Sequence, residues 1–330
     1  MSISVVGSLN YDLVTYTERV PDAGETFRAN YFETHVGGKG LNQAVALRKL
    51  KDSSVPYGIR MVGNVGTDSF GDALLGLLQS HDIDVSHVRK SEGVRTGVAT
   101  ILVENSTGQN RILITEGANG KTVYGSKELE TIFPETEDRN MVVFQQETPD
   151  PCSVMRWLKK NRPDHQIVFN PSPFKAVDKE DWQLVDVLIV NEIESLQIVQ
   201  TVFPRDEVKK YEAEIEKDFM KGYNAVCKIL QEQCVSEKGP AIVIITLGSK
   251  GALYCSNENK EIKFLPAAAN VHVVDTTAAG DTFLGAFTTQ FYQGANINEA
   301  IKFSTRASSV TIQRKGAAES IPMYDEIVNK

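Results

Sequence analysis

Val271-His272-Val273-Val274-Asp275-Thr276-Thr277-Ala278-Ala279-Gly280-Asp281-Thr282-Phe283 opens as an apolar run and breaks into small residues. It resumes with Phe283, Phe287 and Phe291 at helical spacing. A strand that turns into a helix through Ala-Ala-Gly presents unpaired backbone N–H groups at the helix start, an anion-binding geometry. Asp281 stands in that place. A carboxylate there repels an anion unless it takes a proton from whatever attacks that anion. This stretch alone leaves two readings open: Asp281 caps the helix, or it is a general base.

The same pattern recurs along the chain. Ile3–Val6, Ile59–Val62, Met141–Phe144, Ile167–Phe169, Val187–Val190, Ile242–Ile245 and Val271–Val274 are short runs, apolar but for Ser4, Arg60 and His272. Helical patterns separate them, which predicts a doubly wound α/β fold around a mostly parallel sheet buried on both faces. Each run stops at polar or glycine-rich sequence: Asn10 and Asp12 follow the first, Gln145-Gln146-Glu147 the third, Asn191 the fifth, Thr246-Leu247-Gly248-Ser249 the sixth. In an open α/β sheet, ligands bind at that edge. Four further β segments lie outside this alternation: Leu13–Val20, Phe27–His35, Gly97–Val103 and Arg111–Thr115. The last two read as a hairpin whose turn contains Gly108, and together the four predict a small sheet serving as a lid. The bland alternative is an extension of the main sheet. About Thr201 to Gly239 is charge-rich and reads as a surface helix, with Ile215, Phe219, Val226, Leu230 and Cys234 on one face.

Gly37-Gly38-Lys39-Gly40-Leu41-Asn42-Gln43-Ala44 opens a second glycine-started helix. It has neither Walker A nor G-x-G-x-x-G spacing. Its glycines let backbone approach a ligand closely, with Lys39 and Asn42 offering donors. A glycine-rich turn without a ligand is the competing reading.

Composition bounds the function. The 330 residues are 41% hydrophobic and 24% charged, ordinary for a chain that buries a sizeable core. A net charge of −8, without a Lys/Arg block, argues against nucleic-acid and anionic-membrane partners. Cys152, Cys227, Cys234 and Cys255 form no C-x-x-C, and His35, His81, His87, His165 and His272 lack metal-ligand spacing. Free thiols, no signal-peptide pattern at Met1–Gly7 and no membrane-length apolar run predict a cytoplasmic or nuclear protein.

The segments Gly37–Ala44 and Asp275–Phe283 resemble the two signatures of the ribokinase-like (PfkB-type) sugar kinases. Gly7-Ser8-Leu9-Asn10-x-Asp12, Asn191-x-x-Glu194, Thr246-Leu247-Gly248-Ser249-x-Gly251 and Arg314-Lys315-Gly316-Ala317 agree in order and spacing. The resemblance covers about residues 3–322. It implies a single ribokinase-like domain over residues 1–330, with lid strands at about 13–35 and 97–115. A helical insertion at about 203–239 resembles that of eukaryotic, especially fungal, members.

The resemblance implies ATP-dependent, Mg2+-assisted phosphorylation of D-ribose at O5, K+ as a monovalent activator, and a homodimer joined through the lid. Carried over by position, Asn10, Asp12, Gly38, Lys39, Asn42 and Glu147 hold the sugar. Asn191, Thr246, Gly248, Ser249, Gly251 and Gly280 face the nucleotide, with Thr305 beside the adenine. Glu194 acts on Mg2+ through water. Asp275, Thr277, Thr311, Arg314, Gly316 and Ser320 ring the K+, Arg314 through its backbone oxygen, since its side chain has no acceptor. Ala278, Ala279 and Gly280 form the anion hole, and Asp281 is the base, which settles the opening choice in favour of catalysis. Two alternatives remain. One is a kinase for another sugar or nucleoside, such as 2-deoxyribose, fructose or adenosine; the acidic Asp12 suits a polyhydroxyl ligand. The other is a non-catalytic sensor, which loss of Asp281 or of the anion hole would have marked.

Overall fold

The computed structural model describes residues 1–106 and 109–329, so the turn glycine Gly108 lies outside the described residues. In chain order the strands are β1 (Ser2–Val6), β2 (Asn10–Thr17), β3 (Tyr31–Gly37), β4 (Gly58–Gly66), β5 (Asp84–Ser91), β6 (Gly97–Glu104), β7 (Asn110–Thr115), β8 (Asn140–Phe144), β9 (Gln166–Phe169), β10 (Val187–Asn191), β11 (Ile242–Thr246), β12 (Gly251–Cys255) and β13 (Lys263–Pro266). The helices are α1 (Lys39–Lys49), α2 (Ser69–Ser80), α3 (Ser126–Ile132), α4 (Pro151–Asn161), α5 (Glu192–Val202), α6 (Arg205–Lys217), α7 (Phe219–Gln233), α8 (Ala279–Tyr292), α9 (Ile297–Thr311) and α10 (Tyr324–Val328).

Nine strands form one sheet in the order β13-β12-β11-β10-β9-β8-β1-β4-β5. The pairings from β11 across to β5 are parallel, while β12 and β13 close one edge antiparallel. Alternate side chains of each central strand enter opposite cores, as the two-residue period requires. Ile3, Val5, Met141 and Val143 pack with α1, α8 and α9 on one face. Val6, Val142 and Phe144 pack with α4, α5 and α7 on the other. From β1 the chain runs outward to β4 and β5, then restarts at β8 and runs the other way. The crevice between the ends of β1 and β8 is therefore the topological switch point, where such sheets place their ligands.

The four remaining strands form the expected second sheet, in the order β3-β2-β6-β7. Their bounds differ from the expectation. β2 begins at Asn10, which pairs with Gly97 of β6, so Asn10 and Asp12 belong to the lid sheet itself. β3 starts at Tyr31, four residues after Phe27.

Two further expectations are corrected. Val271–Val274 is not a strand, and six of the seven apolar runs enter the sheet. The sheet already ends at β13, so this run has no neighbour to pair with and crosses over α9, where Val274 N–H donates to Ile312 O at 2.8 Å. Val273 and Val274 are exposed. The segment 201–239 is likewise not one surface helix. Asp218 ends α6 and caps α7 through Lys221 N–H, and α7 buries Val226, Cys227 and Leu230 completely. The charges lie on α6 and on the outer face of α7.

Candidate active site

Two helices opened by small residues meet at the switch point, side by side and parallel. Asn42 of α1 bonds Asp281 of α8, and one turn on a Cβ at Gly285 would come within 2.4 Å of the Ala46 side chain. Two turns on, Thr289 Oγ1 donates to Leu50 O, again 239 residues apart. Gly285 is what lets the two helices approach this closely. Their N-termini, each carrying partial positive charge, point at the same place.

Asp281 does not cap its helix. The N-cap position is Ala278, in the left-handed region at φ 59°, with no side-chain cap bond. Asp281 is third in the helix and 6% exposed. Its Oδ2 accepts from Asn42 Nδ2 at 3.2 Å and its Oδ1 from Gln43 Nε2 at 2.9 Å. Above it the helix start is open: a Cβ at Gly280 would meet nothing within 4 Å. The Ala279 amide leans back to Thr276 O at 3.3 Å. Of the three expected anion-hole residues, Gly280 is exposed and Ala278 and Ala279 are half-buried.

The opening of α1 is built differently. Gly38 is its N-cap at φ 88°, and a Cβ there would meet the Asn10 amide at 2.8 Å. A Cβ at Gly40 would lie 2.6 Å from Ser8 N and O. The first helical amide, Lys39 N–H, donates to Glu147 Oε2 at 2.9 Å, and Ser8 Oγ donates to the same oxygen. These glycines admit the β1–β2 backbone, and a protein carboxylate fills the anion position.

Around this pair stand the other sugar-side residues. The Asp12 carboxylate packs over Gly37, where a Cβ would come within 2.3 Å of it. Burial, and then Glu147, push its pKa up to about 7, with His35 opposing. Asn10 is buried and accepts from Asn119 Nδ2 at 2.7 Å. The half-buried Lys39 has its ammonium pKa pulled down by burial, but Asp281, Glu147 and Glu194 together outweigh this and raise it.

On the far side, Asn191 and Glu194 form a reciprocal capping box on α5, with Glu194 N–H to Asn191 Oδ1 at 2.8 Å and Asn191 N–H to Glu194 Oε2 at 3.1 Å. Thr246 ends β11, and Gly248 and Ser249 form the exposed turn after it. Gly251 is buried at φ 132°, and a Cβ there would strike Leu265 O at 2.0 Å, so β13 is what requires its glycine. Thr305 is half-buried on α9, three residues before Ser308, whose hydroxyl donates to Ala279 O at 3.1 Å. That spacing places Thr305 on the face turned to the start of α8.

The structure ties together much of the expected cation ring. Asp275 accepts from Thr277 N and Oγ1 at 2.9 and 2.6 Å and from Gly316 N at 3.1 Å. Arg314 sends its side chain to Glu326 and its amide to Thr311 O. Ser320 is buried and bonds Ala317 O. The Thr311 hydroxyl turns inward to Thr282 at 3.0 Å. Among the described residues, no cluster of three or more His, Cys, Asp or Glu could hold a metal.

Sequence reasoning passed over Ser8, Gln43, Asn119, Gln145 and Asn170. Asn119 clamps the β1–β2 turn through Leu9 N at 2.9 Å and Leu9 O at 3.0 Å. Gln145 and Asn170 stand at strand ends already marked as polar, which was the available signal. Asn42 Oδ1 is buried with no hydrogen-bond partner among the described residues, an acceptor suited to a hydroxyl donor.

The chain is similar to known proteins over nearly its whole length. The sequence model for "pfkB family carbohydrate kinase" matches residues 1–323. A ribokinase of Schizosaccharomyces pombe is 34% identical over 99% of this chain and 96% of its own. A deoxyribokinase of Salmonella typhi is 30% identical over 99% of this chain and 97% of its own. Among solved structures, an Arabidopsis thaliana ribokinase complexed with ribose and ATP is similar with a TM-score of 0.79. It is 28% identical, over 99% of this chain and 97% of that one.

Proposed function

The chain belongs to the pfkB family of carbohydrate kinases, and from that premise we propose that it transfers the γ-phosphoryl group of ATP to O5 of D-ribose. The observation that carries the reading is the Asp281 carboxylate. It is buried at the switch point, held by two side-chain amides, and unused as a cap beneath an open helix N-terminus.

Asp281 accepts the O5 proton as O5 attacks the γ-phosphorus, and the bond to the β,γ-bridging oxygen breaks to release ADP. Phosphoryl transfer asks the protein chiefly to align the oxygen and to stabilise equatorial charge. The start of α8 around Gly280 supplies backbone N–H groups for that charge. Asn10, Asp12, Gly38, Lys39, Asn42 and Glu147 hold the sugar, and the Lys39 ammonium adds positive charge at the crevice. Asn191, Thr246, Gly248, Ser249 and Gly251 border the nucleotide, with Thr305 toward the adenine. Glu194 would hold a nucleotide-bound Mg2+ through water, and that ion would supply positive charge at the phosphates. A K+ among Asp275, Thr277, Thr311, Arg314, Gly316 and Ser320 would stiffen the loop that precedes α8. The exposed Ile112, Leu113 and Ile114 of β7 and Phe32 of β3 favour pairing of two lids into a dimer.

The similarity to a deoxyribokinase gives 2-deoxy-D-ribose standing as a second substrate. The test is product formation from ATP with D-ribose, 2-deoxy-D-ribose, D-fructose and adenosine, with and without K+. D-Ribose is expected to give the highest kcat/KM. Higher kcat/KM for another acceptor would replace the substrate, and no turnover with any of them would end the kinase reading for these ligands.

A further inference from the structure

We propose that Gln43 is a positioning residue for Asp281, and that Gln145 fixes the direction in which Gln43 faces. The inference rests on the reading of Asp281 as the base. Gln43 is fully buried, so it acts through its neighbours. Its carbonyl end accepts from Gln145 Nε2 at 2.7 Å. Its amino end donates to Asp281 Oδ1 at 2.9 Å and to Asn170 Oδ1 at 3.3 Å. A side-chain amide has one acceptor end and one donor end. Turning Gln43 over would set its oxygen against the Asp281 and Asn170 oxygens and its amino group against that of Gln145. One orientation satisfies all three neighbours.

The anchors are rigid. Gln145 follows β8, and its Oε1 lies where a Cβ on Gly7 would sit, 2.0 Å away. Asn170 follows β9 and donates to Ile189 O in β10 at 2.9 Å. Asn42 holds the other Asp281 oxygen. The carboxylate is thereby referenced to two strand ends, and through Asn170 to β10, as well as to α1 and its own helix. Misplacement by about 1 Å can cost about a hundredfold in rate, so a buried amide that sets this angle matters to turnover without meeting the sugar.

The test uses the full chain, with Gln43→Leu, Gln145→Leu and Asp281→Asn, and Gln43→Leu placed in the Asp281→Asn background. Thermal melts accompany kcat and sugar KM for each. Gln43→Leu is expected to lower kcat by about 10–100-fold while the sugar KM moves by less than about threefold. Gln145→Leu, which leaves the Gln43 carbonyl end without its donor, should show a smaller loss of the same kind and keeps the test alive if Gln43→Leu does not fold. In the Asp281→Asn background the Gln43 substitution should change the residual rate little. An equal loss in both backgrounds makes Gln43 merely structural and overturns the inference. Loss in Asp281→Asn without loss in Gln43→Leu removes the inference alone. A near-normal rate in Asp281→Asn removes the base reading, and the inference with it.

Discussion

The helices α1 and α8 start with similar small-residue sequence and put that sequence to opposite uses. At α1 the glycines face protein: Gly38 and Gly40 abut the backbone of Ser8–Asn10, and Glu147 takes the first helical amide. At α8 the glycine faces open space, and no side chain caps the helix. One N-terminus has its anion built in, and the other has no side-chain partner. A glycine-opened helix is therefore not evidence of a phosphate site until the space in front of it has been seen.

The largest effect expected from breaking this contrast is at Asp281. Asp281→Asn keeps the size and a hydrogen-bonding group but cannot take a proton, so turnover at saturating substrates should fall about 10²–10⁴-fold. No helix cap is lost, since the native carboxylate does not cap its helix; the melting temperature should fall only by what it costs to set the new amino group against the Asn42 or Gln43 donor. A variant retaining more than about a tenth of the rate would refute the base assignment.

Next come the glycines themselves. Gly40→Ala places a methyl against Ser8 backbone and should cost about 1–3 kcal/mol of stability. Gly280→Ala meets no protein atom and should leave the melt unchanged or raised while impairing turnover. Denaturant melts beside initial rates separate the two. The opposite assignment of damage would invert the comparison drawn above.

The crowding of protein carboxylates on the α1 side predicts a pH effect. With Asp12 raised to about 7 by burial and by Glu147, its contribution to stability is full below the ordinary value of 3.8 and is lost as pH rises through about 7. Hydroxyl donors prefer the carboxylate, so sugar affinity should move the other way, tightening by up to about tenfold from pH 6 to pH 8. Calorimetric titration at both values tests this, and Asp12→Asn should flatten the dependence. A wild-type affinity flat across that range would count against Asp12 as a sugar ligand.

The smallest effect concerns the two caps. Gly38 and Ala278 both hold positive φ, 88° and 59°, but Ala278 carries a Cβ in a region that disfavours one. Ala278→Gly should gain about 0.5–1 kcal/mol, read as a higher melting temperature. A lower melting temperature would show that the loop does not carry that strain.

The sheet was legible because its strands are buried on both faces and leave continuous apolar runs. Val271–Val274 leaves the same trace for a different reason, and sequence periodicity does not distinguish an apolar run inside a sheet from one laid across α9. The helix α7 was misread because its charged outer face dominates the composition of a segment whose inner face is core. At the site, charged and glycine residues announced themselves through spacing. The amides did not: Gln43, Gln145 and Asn170 become a set only when β8, β9 and α1 come together. Whether Asp281 caps its helix was undecidable from its position three residues into the helix, since the answer lies in partners 238 and 239 residues away.

The parallel pairing of α1 with α8 also bears on how the chain is made. Gly40 to Leu47 are buried all round the helix, and the partner that covers much of that surface is encoded 239 residues later. Through most of synthesis, then, a finished apolar helix waits without its cover, a natural ligand for a chaperone. A chain stopped at residue 278 is expected to aggregate as it is released, and its recovery as a soluble, cooperatively folding monomer would contradict this. Asp281 and the helix whose amides hold it thus meet only near the end of translation.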